Sequence, residues 1–481
     1  MKVCLHGPYF CPMSFDTIST NNIEELKQIV GSENCHTAEE VLLQYGSDHT
    51  EDLSFPPHVL ITPSSAEQIS QVVKVANKWN IPITPIGALT GLSGGALAVH
   101  GGIGLSTKKL NRIVKIDRQN MQVIVEPGVI TQELQEAVAE KDLYYAPDPA
   151  SRGTCTIGGN LAENSGGPRA VKYGVTKDFV LNLEVVLPSG EIIWTGANTL
   201  KNSTGYNLTQ LMIGSEGTLG IITKAVLKLL PLPKHNLLML VPFKSALDAC
   251  SAVAAIFNAG ITPSALEFME RAAINWTIDF IGESPNINLQ DDHLAHLLIE
   301  VDGNELEPLY PQCEIISEVV MKHGAADVLF ADTEAQKDAL WFIRRRVGEA
   351  VKANSIYKEE DTVVPRFELP KLLKHVKDLG EKYGFKSVCY GHAGDGNLHI
   401  NIIKGEMSEE AWSNELPKAI RQLFECVKDL GGTISGEHGI GWVQKGYMDV
   451  VLSTKNMELQ KSIKSIFDPN NILNPDKIFP D

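Results

Sequence analysis

The chain has 481 residues, 43% of them hydrophobic, which is enough for two or three domains with sizeable cores. Lys and Arg number 42 against 59 Asp and Glu, so the net charge is −17; such a surface repels phosphate backbones and sets nucleic acid aside as a partner. No apolar run approaches the roughly 18 residues of a membrane span, so no transmembrane helix is expected. The eight cysteines, at 4, 11, 35, 155, 250, 313, 389 and 426, form no C-x-x-C pair, which argues against a disulfide framework or an iron–sulfur cluster. The chain therefore reads as cytoplasmic, with peripheral attachment to the inner face of a membrane left open. Residues 1–12 lack the basic and apolar regions of a signal peptide, and Met13 is an alternative start.

In chain order, residues 14–56 read as a helical lead-in, with a capped start at Asn21-Asn-Ile-Glu-Glu-Leu26 and a second helix from Ala38. Pro56-Pro57 closes it. Val59 to Thr62 is a short strand. Ser65 to Trp79 is an amphipathic helix with Ile69, Val72, Val73, Val75 and Ala76 on its apolar face, and Ile81 to Pro85 is extended again. This strand–helix–strand order argues for an α/β unit. Strands follow at Gly104–Thr107, Ile113–Ile116 and Gln122–Val125, a helix at Thr131–Ala139, a hairpin at Leu183–Thr195, and a strand at Ile221–Leu229. Beyond Pro231-Leu-Pro233, strands at Leu237–Val241 and Leu297–Val301 alternate with helices at Ser245–Asn258 and Pro311–Met321. Phe268-Met-Glu270 lies between them with no assigned partner surface. Leu369–Tyr383 is a helix, and one helical stretch is expected from Ser408 to Leu430.

Four glycine-dense loops punctuate the first half: Gly87-Ala-Leu-Thr-Gly-Leu-Ser-Gly-Gly95, Asp148 to Asn160, Asn164-Ser-Gly-Gly167, and Gly214-Ser-Glu-Gly-Thr-Leu-Gly220. Glycine lets successive backbone N–H groups approach an anion, and Thr90 and Ser93 add hydroxyls. An isolated loop of this kind is an ordinary turn more often than a cradle; four alternating with strands favour a ligand-lined domain. The pattern is not the G-x-G-x-x-G turn of a Rossmann fold.

Near the end, Cys389-Tyr-Gly-His-Ala-Gly-Asp-Gly-Asn-Leu-His-Ile-Asn-Ile402 and Ser435-Gly-Glu-His-Gly-Ile-Gly441 place His392, His399, Glu437 and His438 in two short runs. Imidazole and carboxylate suit zinc, iron or manganese. The expectation is that His392, His399 and Glu437 bind a divalent metal with His438 beside them as a base. For the His pair alone, a glycine turn with surface histidines explains the sequence equally well; the second run shifts the balance toward a site. Arg344, Arg345 and Arg346 are consecutive on a helix, so at most one or two face a common point.

Together the motifs Thr156-Ile-Gly-Gly-Asn160, Gly214 to Gly220, Gly391 to His399, Gly436-Glu-His-Gly439 and Phe467-Asp-Pro-Asn-Asn-Ile-Leu-Asn-Pro475 resemble the FAD-linked 2-hydroxy-acid dehydrogenases of the vanillyl-alcohol oxidase/p-cresol methylhydroxylase superfamily, from about residue 45 to 481. Within it the chain is similar to D-lactate dehydrogenases and the glycolate oxidase flavin subunit. The resemblance implies an α+β fold: a lead-in at 1–56, an FAD-binding domain at 57–233, an α/β cap domain carrying the metal at 234–455, and a tail at 456–481 returning to the flavin. It implies non-covalent FAD lined by Gly87, Thr90, Gly91, Ser93, Gly94, Asp148, Ser151, Gly158, Gly159, Asn164, Gly167, Glu216, Gly217, Ile222 and Asn474. The metal, zinc foremost and iron or manganese as alternatives, falls on His392, His399 and Glu437. The base falls on His438, and substrate contacts fall on Arg344 and Asn401.

Two departures stand out. The pyrophosphate loop of the family begins Arg-Gly and carries a glycine two residues later; Ile86 and Leu89 stand at those places here. The 2-hydroxyglutarate enzymes carry a lysine two residues before the position of Asp361; Glu359 stands there, and a carboxylate repels a second substrate carboxylate. The implied reaction is oxidation of a small D-2-hydroxy acid, D-lactate or glycolate, with electrons leaving to an electron-transfer flavoprotein, a quinone or a partner subunit. A homodimer is compatible with the sequence. A D-2-hydroxyglutarate dehydrogenase, a non-redox flavin transferase of the ether-lipid kind and a non-catalytic flavin subunit are the competing readings.

Overall fold

The computed structural model describes residues 15–282 and 290–480; the alternative start at Met13 lies outside them. The chain forms two compact units. The first takes the residues up to 165, 175–231 and those from 437 on; the second takes 166–174 and 232–436.

In the first unit, Val59–Ile61, Ile103–Ser106 and Ile83–Ile86 form parallel neighbours in that order, with Cys35–His36 antiparallel at the edge. The helix Ala66–Lys78 joins the first and last of these three strands, which is the α/β unit expected from the sequence. Ser65 caps it by accepting the Gln68 N–H, and Ile69, Val72, Val73 and Ala76 are fully buried. Its core also includes Leu26 and Val30 of the helix Thr20–Val30, and Ile472 and Leu473 of the tail. The tail runs beside Ile83: Ile83 donates to the Ile472 carbonyl at 2.7 Å, and Asn474 donates back to the Ile83 carbonyl at 2.7 Å. A second, antiparallel sheet follows the order Ile113–Asp117, Gln122–Val125, Ile221–Lys228, Val180–Val186, Ile192–Trp194. The expected hairpin is its last pair.

The second unit is built on one antiparallel sheet of seven strands. Their order is Leu329–Phe330, His235–Phe243, Ala295–Gly303, Ala265–Glu270, Lys386–Gly391, Asn397–Ile403, Tyr357–Val363. Phe268-Met-Glu270 therefore belongs to a central strand. The helices Arg271–Ile281 and Glu334–Asn354 pack on one face, with Leu340, Trp341, Ile343 and Val347 against Leu238, Leu240, Ala265, Met269 and Leu298. Burying about six such side chains contributes on the order of 10 kcal/mol against the unfolded chain, before the entropy of ordering is subtracted.

The single helix expected over 408–430 is instead two, Glu409–Asn414 and Leu416–Asp429. Pro417 is the reason. It has no N–H to continue the ladder and its ring crowds the preceding turn, so it is accommodated in the first turn of a new helix.

Candidate active site

In the second unit the strand Lys386–Gly391 runs into a tight turn at Ala393–Asp395 and returns as Asn397–Ile403. Gly396 makes that return possible. Its φ is +87°, and a Cβ there would fall on the Val364 carbonyl oxygen. The register pairs Tyr390 with His399, His399 with Asp361, and Asn401 with Glu359. Strand side chains alternate faces, so these five groups project from one face of the sheet. The two histidine rings end 5.4 Å apart at 84°, both nearly buried.

A buried carboxylate holds one imidazole, and two more face the other at longer range. His392 Nδ1 lies 2.8 Å from Glu267 Oε2, and His399 Nδ1 lies 3.5 Å from Glu359 and 3.7 Å from Asp361. Glu267 also takes Arg344 Nη2 at 2.6 Å, and the Arg344 guanidinium stands 5.2 Å from the Tyr390 ring centre. Burial alone would raise the Glu267 carboxyl; His392 and Arg344 outweigh it and hold the group below the usual range. Of the three consecutive arginines, Arg344 is buried, while Arg345 lies over Trp341 and Arg346 between Phe280 and Phe342. The Asn401 side chain is fully buried and donates to the Val388 carbonyl at 3.3 Å. Tyr390 donates to Glu359 at 3.2 Å, and burial, with the Glu359 charge, pushes its phenol well up.

Asp361 ties the hairpin to the second run. It accepts Asn397 Nδ2 at 2.7 Å, the Gly436 N–H at 2.8 Å and the Ser435 hydroxyl at 3.2 Å. Glu437 and His438 are the next two residues along the chain. A Cβ on Gly436 would stand 2.6 Å from Val363 Cγ2 and 2.8 Å from Asn397 Nδ2, so only glycine passes there.

In the first unit the glycine loops converge. A Cβ on Gly87 would stand 3.1 Å from the Thr156 hydroxyl, which caps the helix Ile157–Glu163 that carries Gly158 and Gly159. A Cβ on Gly95 would meet Glu163 at 3.2 Å and Glu216 at 3.5 Å. Asn474 donates to the carbonyls of Gly95 and Glu216 at 2.9 and 2.7 Å. The Glu216 carboxylate accepts the N–H groups of Ile440 and Gly441 at 2.8 and 2.7 Å, two and three residues past His438. Burial, reinforced by their mutual repulsion, raises the Glu163 carboxyl. Burial also raises Glu216, opposed by the two N–H donors. Leu89 adopts φ +58°, the left-handed conformation that the missing glycine would take freely. Thr90 and Gly91 are half-exposed on the same loop, Gly94 is buried at φ +69°, and Gly217 turns at φ +66°. Asp148 is buried and Ser151 half-buried on the turn before Thr156. Asn164 ends the helix in the left-handed region, Ile222 lies in the strand Ile221–Lys228, and Gly167 belongs to the second unit.

These surroundings fit an anionic dinucleotide. The Ser93 hydroxyl is buried and makes no hydrogen bond, and two glycines, Gly94 and Gly95, follow it directly. The second unit's imidazoles fit a divalent metal by donor type, and at His392 the carboxylate on Nδ1 leaves Nε2 as the ligating nitrogen. The sequence did not single out Glu267, Glu163 or Tyr390 as site residues. The one available signal was a glutamate flanked by the apolar Leu266 and Phe268 in the strand Ala265–Glu270.

Residues 57–196 match the FAD binding domain family, and residues 232–478 match the family of FAD linked oxidases, C-terminal domain. A D-lactate dehydrogenase of Anaerostipes hadrus is 41% identical over 425 residues, 88% of this chain and 89% of its own. Glycolate oxidase subunit GlcD of Bacillus subtilis is 39% identical over 459 residues, 95% and 96% of the two chains. A D-2-hydroxyglutarate dehydrogenase of Stutzerimonas stutzeri is 33% identical over 460 residues, 95% and 98%. Among solved structures, p-cresol methylhydroxylase superposes with a TM-score of 0.78 at 20% identity, over 96% of each chain. The chain belongs to the FAD-linked oxidases: it is an FAD-binding oxidoreductase with the α+β fold of p-cresol methylhydroxylase. No helix among the described residues is long and apolar enough to cross a membrane.

Proposed function

We propose that the protein oxidises a small D-2-hydroxy acid, D-lactate or glycolate, to the 2-oxo acid. The single observation that carries this is the group of His392, His399, Asn401 and Arg344 gathered in the second unit, with His392 and Arg344 both held by the buried Glu267 carboxylate. The curated relatives named for D-lactate, glycolate and D-2-hydroxyglutarate support the 2-hydroxy acid class. When bound, FAD supplies the two-electron sink for the α-hydrogen, and a divalent metal at His392, His399 and Glu437 supplies Lewis acidity.

The chain's own residues do the rest. His438 accepts the hydroxyl proton, which suits imidazole near neutral pH. Arg344 donates to the substrate carboxylate, and the Asn401 amide fixes its orientation. Glu359 disfavours a second carboxylate and so a hydroxyglutarate substrate. Glycine loops, the Ser93 hydroxyl and the Asn474-buttressed segment hold the cofactor. The electrons then pass to a partner protein or a quinone.

The test is anaerobic flavin bleaching against D- and L-2-hydroxy acids. D-lactate or glycolate should bleach the flavin; bleaching by none of them refutes the reading. His438→Ala should keep the flavin and lose bleaching, and a chelator should suppress turnover until zinc or manganese is restored. Indifference to chelator and metal alike refutes the metal's part. An ether-lipid transferase would show no net substrate oxidation in the same assay, and a silent subunit would show no turnover at all.

A further inference from the structure

Glu267 stands where a charge is least expected. Its neighbours on the same strand face, Ala265 and Met269, belong to an apolar cluster with Leu340, Trp341, Ile343 and Val347, and its own side chain is fully buried. An unpaired carboxylate there would cost several kcal/mol. It is paired twice. Oε2 receives Arg344 Nη2 at 2.6 Å and His392 Nδ1 at 2.8 Å, and Oε1 lies 3.0 Å from the same ring nitrogen.

The consequences follow from donor and acceptor chemistry. An ionised carboxylate only accepts, so the Nδ1 that faces it carries the proton. The lone pair of His392 is then on Nε2, at the opposite edge of the ring. The same carboxylate holds one amino group of Arg344. Arg344 Nε is buried and makes no hydrogen bond, so the guanidinium is anchored at one corner with donor capacity in reserve. One carboxylate thus governs two side chains that the sequence placed in different roles.

We propose that Glu267 is a positioning residue for both halves of the site: it sets the ligating tautomer of His392 and aims Arg344 at the substrate carboxylate, so that metal affinity and substrate affinity depend on one group. This deepens the function proposed above and rests on it. Losing a carboxylate behind a ligating histidine lowers metal affinity about 10- to 100-fold.

The experiment uses the purified holoenzyme with bound flavin and compares wild type with Glu267→Gln and Glu267→Asp. Zinc or manganese affinity is measured by competition with a chromophoric chelator, beside the flavin-to-protein ratio and the KM and kcat for D-lactate or glycolate. The expected result for Glu267→Gln is a 10- to 100-fold weaker metal affinity and a raised KM, with the flavin ratio unchanged. Glu267→Asp keeps the charge but cannot span both partners, so it should show the same losses in smaller measure, and it carries the test if the glutamine variant does not fold. A purely structural Glu267 would lower the folded fraction and leave the metal affinity and KM of the folded remainder at wild-type values; that overturns the proposal. A wild type that binds neither metal overturns the metal reading itself and this proposal with it. A metal-binding wild type matched by both variants overturns this proposal alone.

Discussion

Asp361→Asn isolates the link between the histidine hairpin and the run that carries Glu437 and His438. The carboxylate serves Asn397 through one oxygen and Ser435 with Gly436 through the other. An asparagine keeps one acceptor oxygen and puts an NH2 group where the other stood. If the NH2 faces Gly436, two donors confront each other. If it faces Asn397, that amide must turn over and give up its bond to the Thr362 carbonyl, now 3.0 Å. Either way one charge-assisted bond is lost, about 1.5–3 kcal/mol, at a residue that is 3% exposed. If about 2 kcal/mol of that appears as misplacement of the residues after Gly436, kcat falls about 30-fold. The assay is single-turnover flavin bleaching under anaerobic, substrate-saturating conditions. Ser435→Ala serves as a graded control that removes only the longest of the three bonds. An Asp361→Asn protein with a lowered melting temperature but an unchanged bleaching rate would refute the reasoning, because Asp361 would then stabilise the fold without positioning the site.

Leu89→Gly should stabilise the protein by about 0.5–1 kcal/mol. The left-handed backbone costs a leucine about 1–2 kcal/mol, and the greater freedom of glycine in the unfolded chain returns only part of that. A lower melting temperature would contradict it. Glu359→Lys should shift kcat/KM about tenfold toward D-2-hydroxyglutarate relative to D-lactate, since it replaces a repulsive group by an attractive one; an unchanged ratio counts against Glu359 as the selector. Glu163→Gln should flatten the dependence of stability on pH. Both Glu163 and Glu216 have folded carboxyl values above their unfolded ones, so their protonated form contributes stability at low pH that is lost as pH rises through the raised values. The variant should therefore melt higher than wild type on the alkaline side; equal melting curves at pH 5 and pH 8.5 would refute this.

Much of the site was legible because its spacing is local. His399 and Asn401 are two residues apart and so share a strand face, and glycines at 391, 394 and 396 announce a tight return. Helix starts at Ser65 and Ser245 follow from their capping side chains. What local spacing does not carry is pairing across the chain. Glu267 lies 125 residues from His392, and Asp361 lies 75 from Gly436. Nothing near Glu267 in sequence reveals that an arginine and a histidine will neutralise it. The Glu216 carboxylate, expected at the cofactor, holds the Ile440 and Gly441 backbone from 224 and 225 residues away.

The tail has a consequence for the order of folding. Ile472 and Leu473 complete the first unit's core, and buried Lys464 ties the tail by donating to the carbonyls of Thr218 and Leu473 at 2.8 Å each. The first unit therefore closes only after the ribosome has passed residue 474, although its first strands emerged hundreds of residues earlier. The second unit is contiguous from 232 to 436 apart from the short segment 166–174, and all of it has been made by then. During synthesis the cofactor-holding half is the one left waiting with an open apolar edge at Ile83, exposed to the non-local pairing that makes such chains slow to fold and prone to associate.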